Sequence, residues 1–373
     1  EKADRMDWML LPALAKRNYD RMIAKQPDMV DWSTNAGWNP LELTDRKDLA
    51  IITSGIGRNY YLENLEDYKA LCASQGKGLP STLHIGTWPL PIASIKKIAS
   101  HASAILVIEE GMPFIEKQLR GLLDQGVTVY GKYSGEIPRA GELNPDTVRK
   151  ALGMPAYPTV SGQLTENAEA FAFVEKLANR PPQLCKGCPH GDSYMSLNKA
   201  VAELTAKAGK DNVVVNADIG CYALGAVPPY NACETVVCMG ASLGMARGAS
   251  QVGVQYAFGV IGDSTFLHSG ITNLVDAVST KTPMTAIILD NSIVAMTGCQ
   301  TSILPSSQLK PLIQGLGVEP EHIRVLSTNP NAVEENAKVL VEEAEYRGVS
   351  VVIMVRECLE AFRLRNKAKK GSN

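Results

Sequence analysis

Asp263 and Asn291 are the residues whose types and spacing first point to chemistry. Asp263 follows Val260 and Ile261 in the string Gly262-Asp263-Ser264-Thr265, and Asn291 closes the apolar run 284–289 in Asp290-Asn291. A carboxylate and an amide oxygen are hard ligands of the kind Mg2+ prefers. Each sits at the carboxyl end of an expected buried strand, one crossover unit apart, and in an open parallel sheet such ends share the ligand crevice. Glycine at 262 lets the backbone approach a phosphate closely, and the N-terminus of the helix that follows favours anions. The stretch 211–300 therefore reads as a docking site for a diphosphate held through Mg2+. Gly-Asp-Ser after a strand is also an ordinary turn, and the pairing with Asn291 is what raises the functional reading above it.

Thiols are the second candidate chemistry. Eight cysteines lie at 72, 185, 188, 221, 233, 238, 299 and 358, a spacing unlike that of a small disulfide scaffold. Cys185-Lys186-Gly187-Cys188-Pro189 is a C-x-x-C turn outside the sheet pattern. Three readings compete for it. A thioredoxin-type redox pair wants the motif at the start of a helix in a thioredoxin pattern, which is not evident. A zinc site wants a second C-x-x-C or C-x-x-H, and His190 is badly spaced for that. An iron–sulfur cluster wants two further thiolates. Buried, chemically inert cysteines are the plain alternative for the remainder.

The elements that must position these groups alternate along the chain. Residues 1–43 read as a helical approach segment, with Leu10, Leu11, Leu14 and Ala15 on one face and Pro27 and Pro40 breaking the pattern. A first domain, 44–153, has expected strands at 49–53, 81–85, 104–108 and 127–130, with helices to about 74 and at 92–102 and 115–123. A linker, 154–182, rich in Pro, Thr and Gly, contains a short helix at 166–177. A second domain, 183–362, has expected strands at 213–216, 235–238, 257–261, 284–289 and 351–355, followed by a short basic tail, 363–373, read as a frayed end. Alternation of this kind implies an α/β fold with two doubly wound, mostly parallel sheets.

Composition bounds the possibilities. The 373 residues suffice for two α/β domains, and 45% hydrophobic with 20% charged residues is a globular balance. With 37 basic against 39 acidic residues, nothing favours a nucleic-acid or membrane surface. No apolar stretch reaches the roughly 18 residues of a spanning helix, and no secretory signal is evident, so a cytoplasmic location is expected. Because the chain opens at Glu1 rather than Met, an upstream part is expected to lie elsewhere.

Gly262-Asp263-Ser264-Thr265-Phe266-Leu267-His268-Ser269-Gly270, together with Leu289-Asp290-Asn291 and Ala295-Met296-Thr297-Gly298, resembles the thiamine diphosphate domain of indolepyruvate:ferredoxin oxidoreductases. The resemblance is to the large, alpha-type subunit, within the 2-oxoacid:ferredoxin oxidoreductase family. The first domain resembles the C-terminal domain of transketolase-type enzymes, so the likeness covers nearly the whole chain. It implies thiamine diphosphate and Mg2+ as cofactors, with Asp263, Asn291 and the main-chain carbonyl of Ile293 on the metal. It implies Ser264, Thr265 and Thr297 near the diphosphate, Gly220 at the end of its strand, and the Met239-Gly240-Ala241-Ser242 turn against the aminopyrimidine. It also implies a proximal [4Fe–4S] cluster on Cys185, Cys188, Cys221 and Cys358, with His190 beside it. His268 is expected either to serve the substrate or to be structural. His84, His101 and His322 carry no signal.

A cluster beside this cofactor favours oxidation over plain decarboxylation. The implied activity is oxidative decarboxylation of a 2-oxoacid, an aryl pyruvate by resemblance, to an acyl-CoA, with coenzyme A as co-substrate. The family's activating glutamate lies in a pyrimidine-binding domain upstream of the transketolase-like part, and its two-cluster ferredoxin domain follows the last cysteine. Neither is in these residues. The expected partners are therefore subunits supplying the pyrimidine-binding and gamma-type domains, and a ferredoxin or ferredoxin-like subunit, in a heteromeric complex. Two alternatives stand beside this: a thiamine-dependent decarboxylase or carboligase without a cluster, and a non-catalytic scaffold keeping the fold.

Overall fold

Runs of Val, Ile, Leu and Ala five to seven residues long become strands covered on both faces. The computed structural model describes residues 4–123, 126–155 and 181–371. It divides into two units, Glu1–Leu177 and Ala178–Asn373. The expected linker helix at 166–177 lies outside the described residues.

The first unit is built on a five-stranded sheet: β1 (Leu41–Glu42), β2 (Ala50–Ser54), β3 (Ser81–Ile85), β4 (Ala104–Ile108) and β5 (Thr128–Tyr130), in the order β1-β3-β2-β4-β5. All neighbours are parallel except β1, which pairs antiparallel with β3. Ile52, Leu83, Ile105 and Val107 pack toward Ile95, Ile98 and Leu119 on one face. Ile51, Leu106 and Ile108 pack toward Tyr61, Tyr68 and Val148 on the other.

Two expectations for the N-terminal segment need correction. Helix Pro12–Asn35 runs straight through Pro27. Proline withdraws one backbone donor from a helix interior; Pro27 is exposed and so is Ile23 one turn earlier, so water can satisfy the freed carbonyl. The segment, expected to be helical to residue 43, also ends in a strand, because Leu41 and Glu42 pair with Leu83 and Thr82.

In the second unit, β6 (Val213–Ala217), β7 (Thr235–Val236), β8 (Tyr256–Gly262), β9 (Met284–Asp290), β12 (Ile323–Ser327) and β13 (Val349–Val355) form a fully parallel sheet ordered β12-β13-β9-β8-β6-β7. Between β9 and β12 the short β10 (Ile293–Val294) and β11 (Gln300–Thr301) pair antiparallel. Every residue of β8 and β9 is buried, as expected of central parallel strands. Val215, Phe258, Ile287 and Val352 meet helices Pro189–Ala208 and Val333–Glu345. Ile261, Ile288 and Ile353 meet helices Ala241–Gln251, Ile271–Ser279 and Leu309–Gly315.

The edges differ from the expectation. β7 stops at Val236 because the chain turns into Gly240, whose φ of 90° is open to glycine. β12 was not foreseen; as an edge strand it buries only Ile323, leaves Val325 and Ser327 exposed and includes the half-buried Arg324. Residues 363–371, expected to be part of a frayed tail, belong to helix Leu359–Gly371.

Candidate functional site

From β6 the chain goes outward to β7 and then returns to place β8 on the opposite side of β6. Such a switch point opens a crevice at the carboxyl ends of the strands. A cavity lies there, lined by Gly220, Cys221 and Tyr222 after β6, Gly262 to Thr265 after β8, Leu289 and Asn291 at the end of β9, residues 293–296, and His190.

The β8 end supplies the carboxylate. Asp263 opens a single α-turn, Asp263–Thr265, which widens into a π-helical turn, Phe266–Gly270, before the regular helix resumes at Ile271. Asp263 is buried, and burial, then the nearby charge of Asp290, pushes its carboxyl up to about 6. The N–H of Ser264, the Ser302 side chain and the N–H of Asp263 itself oppose that rise. Asp290 is also buried, and its Oδ2 meets no hydrogen-bond donor, while Oδ1 accepts the N–H of Ser292 at 3.0 Å. Two crowded, desolvated carboxylates without a cation are costly, so this donor set fits a divalent metal.

Ser292 takes the left-handed conformation (φ 66°), unusual for a residue with a side chain. It turns the chain so that Ile293 also lines the cavity. The Ile293 N–H donates to Asn291 Oδ1 at 3.2 Å, which fixes which end of that amide is oxygen.

Glycine at 262 has a steric reason. A Cβ there would come within 2.6 Å of the Tyr222 ring. Gly220 is crowded by the same ring. Behind the cavity, fully buried Asp218 accepts the N–H of Gly240 at 3.0 Å and of Ser242 at 2.5 Å. That holds the Met239–Ser242 turn to the end of β6.

The C-x-x-C turn comes to the same edge. The Cys188 N–H bonds to the Cys185 carbonyl at 2.9 Å, Gly187 takes φ 80°, and Cys188 precedes helix Pro189–Ala208. Arg356, just past β13, donates to the Gly187 carbonyl at 3.1 Å and pairs with Asp192. The Arg356 N–H donates to the Asp290 carbonyl at 3.1 Å, and the Cys358 N–H to the Asn291 carbonyl at 3.3 Å. Cys358 is thereby tied to the backbone of the asparagine that lines the cavity. Burial pushes the Cys188 thiol up to about 11, and Cys185, Cys221 and Cys358 all add to the rise. Cys221 feels burial first, then Cys358 and Cys185. Cys185, Cys221 and Cys358 thus each lie within electrostatic reach of Cys188, and Cys185 and Cys358 also of Cys221. Cys72, Cys233 and Cys238 do not figure among these influences.

Among the described residues no three His, Cys, Asp or Glu side chains are gathered tightly enough for a single metal ion. Neither proposed group demands that. Mg2+ takes one or two carboxylates and completes its shell with water and phosphate. A cubane distributes its four thiolates over four irons, so they stand farther apart than ligands of one ion.

Other expected residues lie outside the cavity lining. His268 is exposed in the π-helical turn, Met239 is exposed, and Thr297 is exposed with its hydroxyl on Gln300 at 2.6 Å. Reasoning from sequence missed Tyr222, Asp218, Asp290 and Ser302. It placed His190 beside the expected cluster; the side chain is buried in the cavity wall, 3.2 Å from Asn291 Nδ2. Burial, then Arg356, holds its imidazole down at about 4.

Residues 218–353 match the family model described as thiamine pyrophosphate enzyme, C-terminal TPP binding domain. The chain is 32% identical over 327 residues to the indolepyruvate oxidoreductase subunit IorA of Methanothermobacter thermautotrophicus, covering 84% of this chain and 49% of that protein. It is 33% identical over 328 residues to the same subunit of Methanothermobacter marburgensis, with 84% and 49% covered. To the Archaeoglobus fulgidus subunit it is 31% identical over 366 residues, with 94% and 55% covered.

The chain is homologous to the indolepyruvate oxidoreductase subunit IorA. It spans about half the length of the curated relatives it matches. This IorA homologue contains a thiamine-diphosphate-binding domain, and the cavity at the β6/β8 switch point lies within the matched residues apart from His190. Among the described residues no helix is long and apolar enough to cross a membrane.

Proposed function

We propose that the chain supplies the diphosphate- and cluster-binding part of a 2-oxoacid:ferredoxin oxidoreductase. The reaction is oxidative decarboxylation of an aryl pyruvate to its acyl-CoA, electrons leaving by way of a proximal [4Fe–4S] cluster. Cys221 carries the reading. It lines the same cavity as Asp263 and Asn291 and also acts on Cys188 together with Cys185 and Cys358.

Thiamine diphosphate supplies the decarboxylation of the 2-oxoacid when bound, and a cluster alongside accepts electrons singly. The chain's own residues have four tasks. Asp263 and Asn291, with the Ile293 carbonyl, would hold Mg2+. Gly262, Ser264 and Thr265 offer a close-packed strand-to-helix turn to the diphosphate, and Tyr222 walls the opposite side. Asp218 steadies the Gly240 turn. Cys185, Cys188, Cys221 and Cys358 would ligate the cluster, with Arg356 holding their two backbone segments together. His268 and Thr297 have no part in this arrangement.

The remaining machinery is assigned to partners: a pyrimidine-binding domain with the activating glutamate, a gamma-type subunit, and a ferredoxin or ferredoxin-like acceptor. The indolyl or other aryl preference follows the names of the relatives. The test is anaerobic purification with iron and sulfide analysis, and calorimetric titration with thiamine diphosphate with and without Mg2+. About four irons per chain and Mg2+-dependent binding are expected. Iron-free protein that still binds the diphosphate would leave a clusterless thiamine enzyme in its place.

A further inference from the structure

His190 is a buried side chain of the cavity wall that belongs to neither ligand set. It comes from the first turn of helix Pro189–Ala208, one residue beyond the Cys188-Pro189 pair, and is only 3% exposed. Its Nε2 stands 3.2 Å from Asn291 Nδ2, and its ring meets Tyr222 edge-on with centroids 6.2 Å apart. The N–H of Ile293 occupies the other end of the Asn291 amide, so that end is oxygen and the end facing His190 is the NH2. An NH2 can only donate, so Nε2 is the acceptor and the ring proton sits on Nδ1. The backbone N–H of the same residue supports the Cys188 thiol.

We propose that His190 is a positioning residue that aims the Asn291 amide oxygen at the bound cation and, through its backbone, couples that aim to the cysteine turn. This rests on the reading of Asn291 as a metal ligand. Without an acceptor on its NH2 side the amide is held by the Ile293 N–H alone and turns over more readily to present nitrogen to Mg2+, which takes only oxygen. Outer partners of this kind commonly change metal affinity about 10- to 100-fold when removed. The helix start that carries Cys188 would then feel whether the cation site is filled, since one residue touches both.

The experiment uses the full chain purified anaerobically with whatever chains accompany it. His190→Met keeps bulk and flexibility but removes the strong acceptor; His190→Gln places an oxygen acceptor near the Nε2 position. Apparent Mg2+ affinity is titrated at saturating thiamine diphosphate, alongside iron content and thermal melting. His190→Met is expected to weaken Mg2+ about 10-fold or more with iron content retained, and His190→Gln to restore affinity to within a few-fold. Wild-type Mg2+ affinity in His190→Met, or equal loss in both variants with melting unchanged, would overturn the inference alone. If His190→Met does not fold, His190→Gln decides: weakened Mg2+ binding in a normally melting protein counts against it. Failure of the unsubstituted protein to bind thiamine diphosphate with Mg2+ would instead overturn the parent reading.

Discussion

Replacing Asp263 with asparagine should stabilise the metal-free protein while abolishing its response to cofactor. Burial, with Asp290 next, raises the Asp263 carboxyl from 3.8 to about 6. A shift of roughly two units corresponds to about 3 kcal/mol between the protonation states. The folded value lies above the unfolded one, so this contribution is fully present below 3.8 and lost as pH rises through about 6. Above about pH 7 the metal-free fold therefore carries the whole penalty. Asparagine keeps the shape and removes the charge, but weakens the bonds from Ser264 and Ser302, leaving a net gain of about 1–2 kcal/mol. At about 2–4 °C per kcal/mol for a unit of this size, Tm in EDTA should rise by several degrees. The gain should shrink on acidification toward pH 4. Mg2+ with thiamine diphosphate at about 100 times Kd should add about 2.7 kcal/mol to the wild type and nothing to the variant. Scanning calorimetry measures both. A variant that melts lower in EDTA and still gains from Mg2+ and cofactor would refute the reasoning.

Three further outcomes follow from the same geometry. Gly262→Ala drives a Cβ to within 2.6 Å of the Tyr222 ring; displacing the ring should destabilise the chain by about 1–3 kcal/mol and eliminate the cofactor-induced rise in Tm. Cys221→Ser should lose most of its iron in anaerobic preparations, whereas Cys238→Ser, at an exposed position outside the cysteine group, should match the wild type by iron and sulfide assay. Arg356→Ala releases Gly187 and Asp192 together, so its cluster should bleach in air several-fold faster, and lysine, lacking the planar fork, should not restore it.

The α/β class and the core strands were legible because parallel strands covered on both faces must be apolar along their length, and β8 and β9 are. Asp263 and Asn291 were legible for a related reason: a polar residue directly after such a run marks the strand's carboxyl end. Edge elements were obscured. β12 leaves Val325 and Ser327 exposed and includes the half-buried Arg324, so it is no apolar run, and Leu41 and Glu42 are too few to show a period. Pro27 misled because a proline penalty depends on whether water reaches the freed carbonyl, a property of the folded surface. Within the site, what stayed hidden was long-range. Asp218 grips a turn 22 residues away, and His190 meets an asparagine 101 residues away. No local pattern encodes either. Arg356 likewise meets Gly187 across 169 residues of sequence.

The central claim is that a cation-held diphosphate pocket and a four-cysteine cluster site share the carboxyl edge of one parallel sheet. Its most direct test is to mix the oxidised, anaerobic holoenzyme with an aryl pyruvate and record the paramagnetic resonance spectrum of the frozen sample. The account predicts a reduced [4Fe–4S] signal that requires added thiamine diphosphate and is absent in Cys221→Ser. A cluster that stays oxidised while substrate is decarboxylated would contradict it.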